Sequence, residues 1–575
     1  MLKQLIRSVF VVCVLVAGTT RAQVDSAAAA PQASDAGSRI SLQGLTPVQI
    51  ENLAIAGKVW GFLKYHHPAV TSGRQQWDRE LFKVLPELLA ANDRKGADAV
   101  LHRWIAGLGP VEKCDPCANL NRADYPLLPN LDWLEDTRLS AALRKDLDTI
   151  YRHRSGAGKQ FYVSLEPNVQ NPLFVNEPEY KGVSFPDAGF QLLSLFRFWN
   201  MVEYWAPYRD QIGEDWNKVL RQSIAPVALA KDRSAYELAM IAVAARIHDT
   251  HTNLWSSLHV RPPVGQCRLP VTVRFIEGNA VVTGYANDEA EAATGLKRGD
   301  VIDSIDGALV TQLVEAWRPY YAASNEPTRL RDMADGLTRG ACAPAQLTLR
   351  EGAALEEFAA SPISRTGPRP PRTHDRAGDT FQLLADDIAY IKLSSIKRAD
   401  IPGYMERAAR TKGLIIDIRN YPSEFIPFSL GPYFIDKPTK FVRFTVADLS
   451  NPGGFKWGQE LELPAHPSPY AGKVMILVDE TSQSQSEYTA MALRVGPRAK
   501  VIGSTTAGAD GNASWISLPG GLRSMISGIG VFYPDKRPTQ RIGIIPDIEV
   551  RPTIAGIREG RDEVLDAAIA EIRRD

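Results

Sequence analysis

The chain has 575 residues, of which 44% are hydrophobic and 23% charged, and its formal net charge is zero. That length points to several domains, and that composition to ordinary globular protein. The balanced charge supplies no electrostatic footprint for nucleic acid or an anionic membrane, so neither is an expected partner.

Residues 1–22 read as a secretory signal. Lys3 and Arg7 form its basic start, Val11 to Ala17 its apolar core, and Thr20-Arg21-Ala22 a small-x-small cleavage site. The core is too short to span a bilayer as a stable helix, and an uncleaved anchor is the alternative. The expected location is the periplasm or the medium. Four cysteines lie beyond the signal, an even number that suggests disulfides in an exported protein. Cys114-Asp115-Pro116-Cys117 lacks the preceding strand of a redox motif and the second pair of a zinc site. A local Cys114–Cys117 bridge and a Cys267–Cys342 bridge are expected.

Residues 23–45 read as a flexible linker, rich in Ala, Ser, Asp and Gln. Residues 46–187 read as a helical domain. Trp60, Phe62, Leu63, Leu81, Phe82, Leu85 and Leu88 recur at near-helical spacing up to about residue 106, and an irregular stretch rich in Pro, Asn and Asp follows. A second helical region, 188–262, repeats the first. Trp60, Tyr65, Pro68, Trp77 and Leu81 match Trp199, Tyr204, Pro207, Trp216 and Leu220, each pair 139 positions apart. This spacing predicts a duplicated helical hairpin. Its aromatic residues serve either core packing or a ligand surface, and packing is the commoner use.

The second region ends in Ile247-His248-Asp249-Thr250-His251-Thr252. Two histidines here lack a third ligand at a recognisable spacing, so no metal is expected. A histidine after a helix is usually structural, but beside a nucleophile it serves as a general base. Residues 263–352 read as a β-rich module. Val271, Val273 and Phe275 alternate with polar residues, and Ala280 to Thr283 follows as a second strand. Gly295-Leu296-Lys297-Arg298-Gly299-Asp300-Val301-Ile302, running on to Ile305-Asp306-Gly307, resembles the signature of PDZ domains. That resemblance implies capture of extended chain ends at a sheet edge; a plain spacer is the alternative.

Residues 353–377 read as a Pro- and Arg-rich linker. Residues 378–575 alternate strands with helices and predict an α/β domain, whose sites gather at the carboxyl ends of strands. Ile388–Leu393 and Gly413–Asn420 are strand-like, and Ile401–Arg410 is helical. The stretch with most chemistry follows. Val474 to Val478 is an unbroken apolar run, Thr481 to Ser486 a serine-rich elbow, and Glu487 to Arg494 a helix. Ser484 and Glu487 have capping-box spacing. A serine at a helix start either caps it or, where free N–H groups converge, serves acyl transfer.

Taken together these segments resemble the tail-specific (C-terminal processing) and tricorn-like serine peptidases. Asp417-Ile418-Arg419-Asn420, the Thr481–Glu487 elbow, Gly503–Gly508 and Gly543-Ile544-Ile545-Pro546-Asp547 match the family's core motifs in order. The resemblance implies a multidomain protein with a crotonase/ClpP-like α/β peptidase core behind a PDZ-like module. It makes Ser484 the nucleophile and the Gln485 N–H an oxyanion donor. The lysine base of many relatives is Ala509 here, so the base falls to His251, supported by Thr250. Gln540 stands where the tricorn-like site has a glutamate. Tyr421-Pro422-Ser423 replaces a Gly-Gly that supplies oxyanion donors. Since proline has no N–H, Tyr421 or Ser423 is left for that role. The expected function is an exported serine peptidase acting on proteins or peptides, with no cofactor. A non-catalytic peptide-binding protein on the same fold, or a Ser-His esterase, are the alternatives.

Overall fold

The computed structural model describes residues 37–574 apart from 352–353, 361–362, 365–370 and 385–386. The expected signal and most of the linker after it lie outside the described residues.

The N-terminal half is helical. Helices α1 (Pro47–His66), α2 (Trp77–Ala90) and α3 (Arg94–Gly107) form the first group. Thr46 caps α1 in a full capping box with Gln49, and Pro47 occupies its first turn, where a missing N–H costs nothing. Helix α4 (Ala141–Arg152) sits inside the stretch expected to be irregular. Its buried Leu143, Leu147 and Ile150 recur at helical spacing and Ser140 caps it, so a one-sided apolar stripe formed a helix despite the polar surroundings. Helices α5 (Ala188–Trp205), α6 (Trp216–Ala228) and α7 (Arg233–Ala245) form the second group.

The two groups share an uncommon tie. The Trp60 indole donates to Trp77 O (3.3 Å) and the Trp77 indole to Trp60 O (3.0 Å). Trp199 and Trp216 exchange the same pair of bonds, at 2.7 and 3.1 Å. All four tryptophans are buried, along with Tyr65 and Tyr204, so these rings pack the core, and the four indoles satisfy their N–H groups internally.

The β-rich module has sheet order β5–β4–β3–β2–β1, antiparallel throughout: β1 (Val271–Ile276), β2 (Asn279–Tyr285), β3 (Val301–Ile305), β4 (Ala345–Glu351) and β5 (Ala354–Ala360). Helices α8 (Val310–Trp317) and α9 (Glu326–Leu337) pack on it, α9 against the edge strand β1. Strand β5, and a short pairing of Ile363–Ser364 with Cys267–Arg268, fall in the segment expected to be a linker, so the module's backbone pairing runs on to Ser364. Both expected disulfides are formed.

The C-terminal domain is built on a sheet ordered β6–β7–β8–β11–β12–β16. The strands are β6 (Phe381–Leu384), β7 (Ile388–Lys392), β8 (Gly413–Asp417), β11 (Lys473–Val478), β12 (Ala499–Gly503) and β16 (Ile548–Glu549). Only the β6–β7 pair is antiparallel. Strands β7 and β8 are buried along their length, as their apolar runs require in a sheet covered on both faces. Helices α10 (Ile401–Ala408), α11 (Gln485–Leu493) and α12 (Glu563–Arg573) cover the sheet. Strands β9 (Thr439–Ala447), β10 (Phe455–Leu463) and β15 (Gly530–Phe532) form a separate antiparallel sheet. A hairpin of β13 (Ala513–Leu518) and β14 (Leu522–Ser527) turns its Ile516, Leu518, Leu522 and Ile526 into the core of the helical half.

Candidate active site

The elbow between β11 and α11 carries Thr481, Ser482, Ser484 and Ser486. Three of these hydroxyls are tied to the end of the neighbouring strand. Thr481 Oγ1 donates to Arg419 O (3.1 Å), Ser482 Oγ to Ile418 O (2.8 Å) and Ser486 Oγ to Asn420 O (3.0 Å). Ser484 has φ +56°, a left-handed backbone that a serine seldom adopts. It is the hydroxyl of the elbow that these carbonyls leave unused, and strain of this kind clusters at active sites.

Glu487 holds the elbow in that shape. Its buried carboxylate accepts from Ser484 N (3.1 Å), Gly508 N (2.7 Å), Ala509 N (3.0 Å) and Thr506 Oγ1 (2.5 Å). Ser484 N also donates to Ala509 O at 3.0 Å. The position that resemblance assigns to a lysine is therefore backbone scaffolding here. Burial raises the Glu487 carboxyl above its ordinary value, although these four donors oppose the shift. Next to it, Asp510 is raised much further, by burial first and by the Glu487 charge second, and its Oδ2 has no partner. Sequence reading gave no sign of this second carboxyl.

His251 lies 233 positions upstream of Ser484, yet both line one cavity of about 2140 Å³ between the helical half, the β-rich module and the C-terminal domain. Gln485, Tyr421, Ser423 and Thr250 line it too. His251 and Ser484 do not hydrogen-bond to each other among the described residues. The imidazole is held from behind: its Nδ1 is 3.0 Å from Ser527 Oγ on β14 and 3.6 Å from Asp249 Oδ1. Asp249 in turn accepts from His251 N (3.0 Å) and Ser527 N (2.8 Å). Burial pushes the Asp249 carboxyl up, but the His251 side chain and these amides outweigh it and leave it below its usual range. With Nδ1 engaged, Nε2 is the nitrogen left for the cavity. Thr250 is tied to Ser324 through its amide (3.0 Å) and its hydroxyl (3.1 Å), which fixes the turn rather than the ring.

Gln540 is buried with Oε1 unpartnered, and it borders a separate small cavity with Asp249 and Ser527. Among the described residues it makes no bond to the imidazole, which Ser527 orients at Nδ1 with the Asp249 charge beside it. Of the residues replacing Gly-Gly, Ser423 donates its N–H to Leu393 O (2.9 Å) and its hydroxyl to Ile396 O (2.5 Å). The Gln485 N–H, first in α11, belongs to the helical turn whose amides no intrahelical carbonyl can accept. The module reaches the elbow directly. Arg274 on β1 pairs with Asp479 (2.9 Å) and Glu480 (2.6 Å), and Arg331 on α9 donates to Glu480 O (2.9 Å) and Gln483 Oε1 (3.1 Å). No group of three or more potential metal ligands occurs among the described residues.

Residues 387–550, which contain the elbow and the sheet beneath it, match Peptidase family S41. This is a peptidase family S41 domain, and the chain that carries it is a serine peptidase. Among solved structures the chain is similar to mature CPAF complexed with lactacystin, at 14% identity and a TM-score of 0.52 over 67% of this chain and 99% of that one. Mature CPAF alone gives 13% identity and a TM-score of 0.51 over 67% and 98%. A putative peptidase from Parabacteroides merdae gives 15% identity and a TM-score of 0.41 over 68% and 98%. At such identities the likeness is one of fold. No curated protein matches the chain. The family match covers the elbow of the S41 domain but not His251, which the chain brings from outside it.

Proposed function

We propose that the chain is an exported peptidase that cleaves proteins or peptides with Ser484 as nucleophile and His251 as general base. The observation that carries this reading is the shared cavity. A strained serine, the unused hydroxyl of its elbow, faces the same space as an imidazole held at Nδ1 by Ser527. Ser484 Oγ attacks the scissile carbonyl carbon while His251 Nε2 takes its proton. The Gln485 N–H stabilises the oxyanion. The C–N bond then breaks, Nε2 returns the proton to the leaving amine, and water attacks the acyl-enzyme by the same route. The PDZ-like module supports substrate delivery, since its edge strand β1 and helix α9 both line the cavity.

The test is turnover of denatured protein and C-terminal peptides by the mature protein, together with fluorophosphonate labelling. Ser484→Ala and His251→Ala are each expected to lower kcat by at least about a thousandfold, with folding intact. Unchanged cleavage in both variants removes the assignment. A second reading, a peptide-binding protein without turnover, is favoured by the Ser423 amide being spent on Leu393 O and by Pro422 having none to give. Peptide binding without labelling or cleavage selects it. Cleavage of small esters but not of peptides selects an esterase.

A further inference from the structure

We propose that the outer face of the β13–β14 hairpin, together with Trp255, is the subsite for an apolar side chain on the leaving side of the scissile bond. The proposal rests on the peptidase reading. In that reaction the imidazole delivers a proton to the leaving amine, so the segment that departs lies along the imidazole's wall of the cavity.

That wall is the hairpin. Ser527 Oγ bonds His251 Nδ1, which fixes the end of β14 against the ring. Met525 is two residues before Ser527 and shares its face, because strand side chains alternate. In the register, Trp515 pairs with Met525 and Ala513 with Ser527. Ala513, Trp515 and Met525 all line the cavity, while the alternate residues Ser514, Ile516, Ser524 and Ile526 are buried on the other face. Trp255 joins the same wall, its indole donating to His251 O at 3.1 Å. Trp515 and Trp255 keep 47% and 40% of their surface exposed, inside a cavity that also holds the nucleophile. Large apolar surface left open in a cleft marks a binding site. The wall also has a sign. The Arg523 guanidinium stacks 4.7 Å from the Trp515 ring, which occupies the ring's attraction for cations and sets a positive charge beside it. The subsite therefore takes an aromatic or long aliphatic side chain and turns away Lys and Arg.

The experiment uses quenched-fluorescent peptides in a polyalanine frame, with Phe, Leu, Ala or Lys following the bond that mass spectrometry shows to be cut. Wild type is expected to favour Phe and Leu over Ala by about tenfold or more in kcat/KM, the scale of a filled apolar pocket, and to favour Lys least. Trp515→Ala collapses the Phe/Ala ratio toward one, and Trp515→Phe restores much of it. Met525→Glu on the same face shifts preference toward Lys and serves if the tryptophan variant does not fold. Turnover with ratios untouched by these variants overturns the subsite and leaves the peptidase reading intact. Binding of the Phe peptide over the Ala peptide to Ser484→Ala protein, with no cleavage by wild type, removes the peptidase reading and with it the leaving-side assignment, and leaves the hairpin face as an apolar binding wall only.

Discussion

Ser527 is the hydroxyl on which the imidazole's orientation depends. Its bond to Nδ1 is short enough to fix the ring, whereas Asp249 Oδ1 at 3.6 Å is an electrostatic neighbour only. Removing it in Ser527→Ala takes away one hydrogen bond of about 1 kcal/mol, and so lowers kcat by roughly fivefold with KM little changed. Steady-state kinetics on one peptide decides this; equal kcat values would leave orientation to Asp249. Asp510 gives a stability prediction. Its carboxyl is raised by burial and by Glu487, so the folded state holds a proton that the unfolded chain releases. A raised carboxyl leaves stability intact below the ordinary carboxyl value and removes it as pH climbs toward the raised one. The loss is about 1.4 kcal/mol per pH unit across that window. Asp510→Asn keeps an oxygen for Gly511 N, which donates to Asp510 Oδ1 at 2.7 Å, and needs no proton. Thermal unfolding between pH 5 and pH 8 is expected to show the variant gaining on wild type as pH rises. A constant difference would mean that Asp510 is ionised throughout.

Helices α1 and α5 approach each other through glycine. A Cβ on Gly61 would stand 1.8 Å from Asn200 Oδ1, and one on Gly57 would stand 2.6 Å from the Phe196 ring. Asn200 Nδ2 uses that closeness to donate across to Gly57 O (2.9 Å), while it also donates to Phe196 O of its own helix (2.8 Å). Gly61→Ala gains about 1 kcal/mol of helix propensity. It also drives a buried amide off its acceptors, at about 1–3 kcal/mol, with overpacking of similar size. The loss wins, and a lower denaturant midpoint with unchanged slope is the expected result. At this scale much of the fold was legible. Val474–Val478 read as a strand because its apolar run is unbroken, and the helix after Ser484 because its composition and its Glu487 are those of a helix start. The spacing of Trp60, Trp77, Trp199 and Trp216 predicts two like hairpins, and each tryptophan pair exchanges indole-to-carbonyl bonds. Helix α4 was hidden by Pro, Asn and Asp on both sides of a narrow stripe, and β5 by a composition that reads as linker. The β13–β14 hairpin was missed for another reason: its buried residues answer to the helical half, hundreds of positions away. Ser527 shares that fate, since the bond that gives it meaning spans 276 positions and leaves no local pattern.

Across the whole molecule, the residues just before the nucleophile are gripped by the β-rich module. Arg274 reaches Asp479 and Glu480, and Arg331 reaches Glu480 O and Gln483 Oε1, so four contacts bind the module to the run leading into Ser484. Burial pushes the Asp479 carboxyl up, but Arg274 and the Thr481 bonds outweigh it and hold it below its ordinary value. A lowered carboxyl contributes stability above the ordinary carboxyl value, and that stability fades as pH falls through the lowered one. Arg274→Ala leaves Asp479 buried without its cation. Breaking a buried pair from one side costs about 3–5 kcal/mol, and the surviving Thr481 N and Oγ1 bonds place this case at the lower end. Without the arginine, burial dominates at Asp479 and the carboxyl rises. The stability gap between wild type and variant is therefore expected to be widest near pH 7 and to narrow as pH falls, closing only below the lowered value of wild-type Asp479, where the carboxyl is protonated in both. Hydrogen exchange should localise the change, with amides of 479–483 losing protection before those of the sheet. Faster exchange there together with reduced peptide turnover would tie the module's grip to the set of the nucleophile. Unaltered exchange and turnover would show that β11 and Glu487 hold the elbow by themselves.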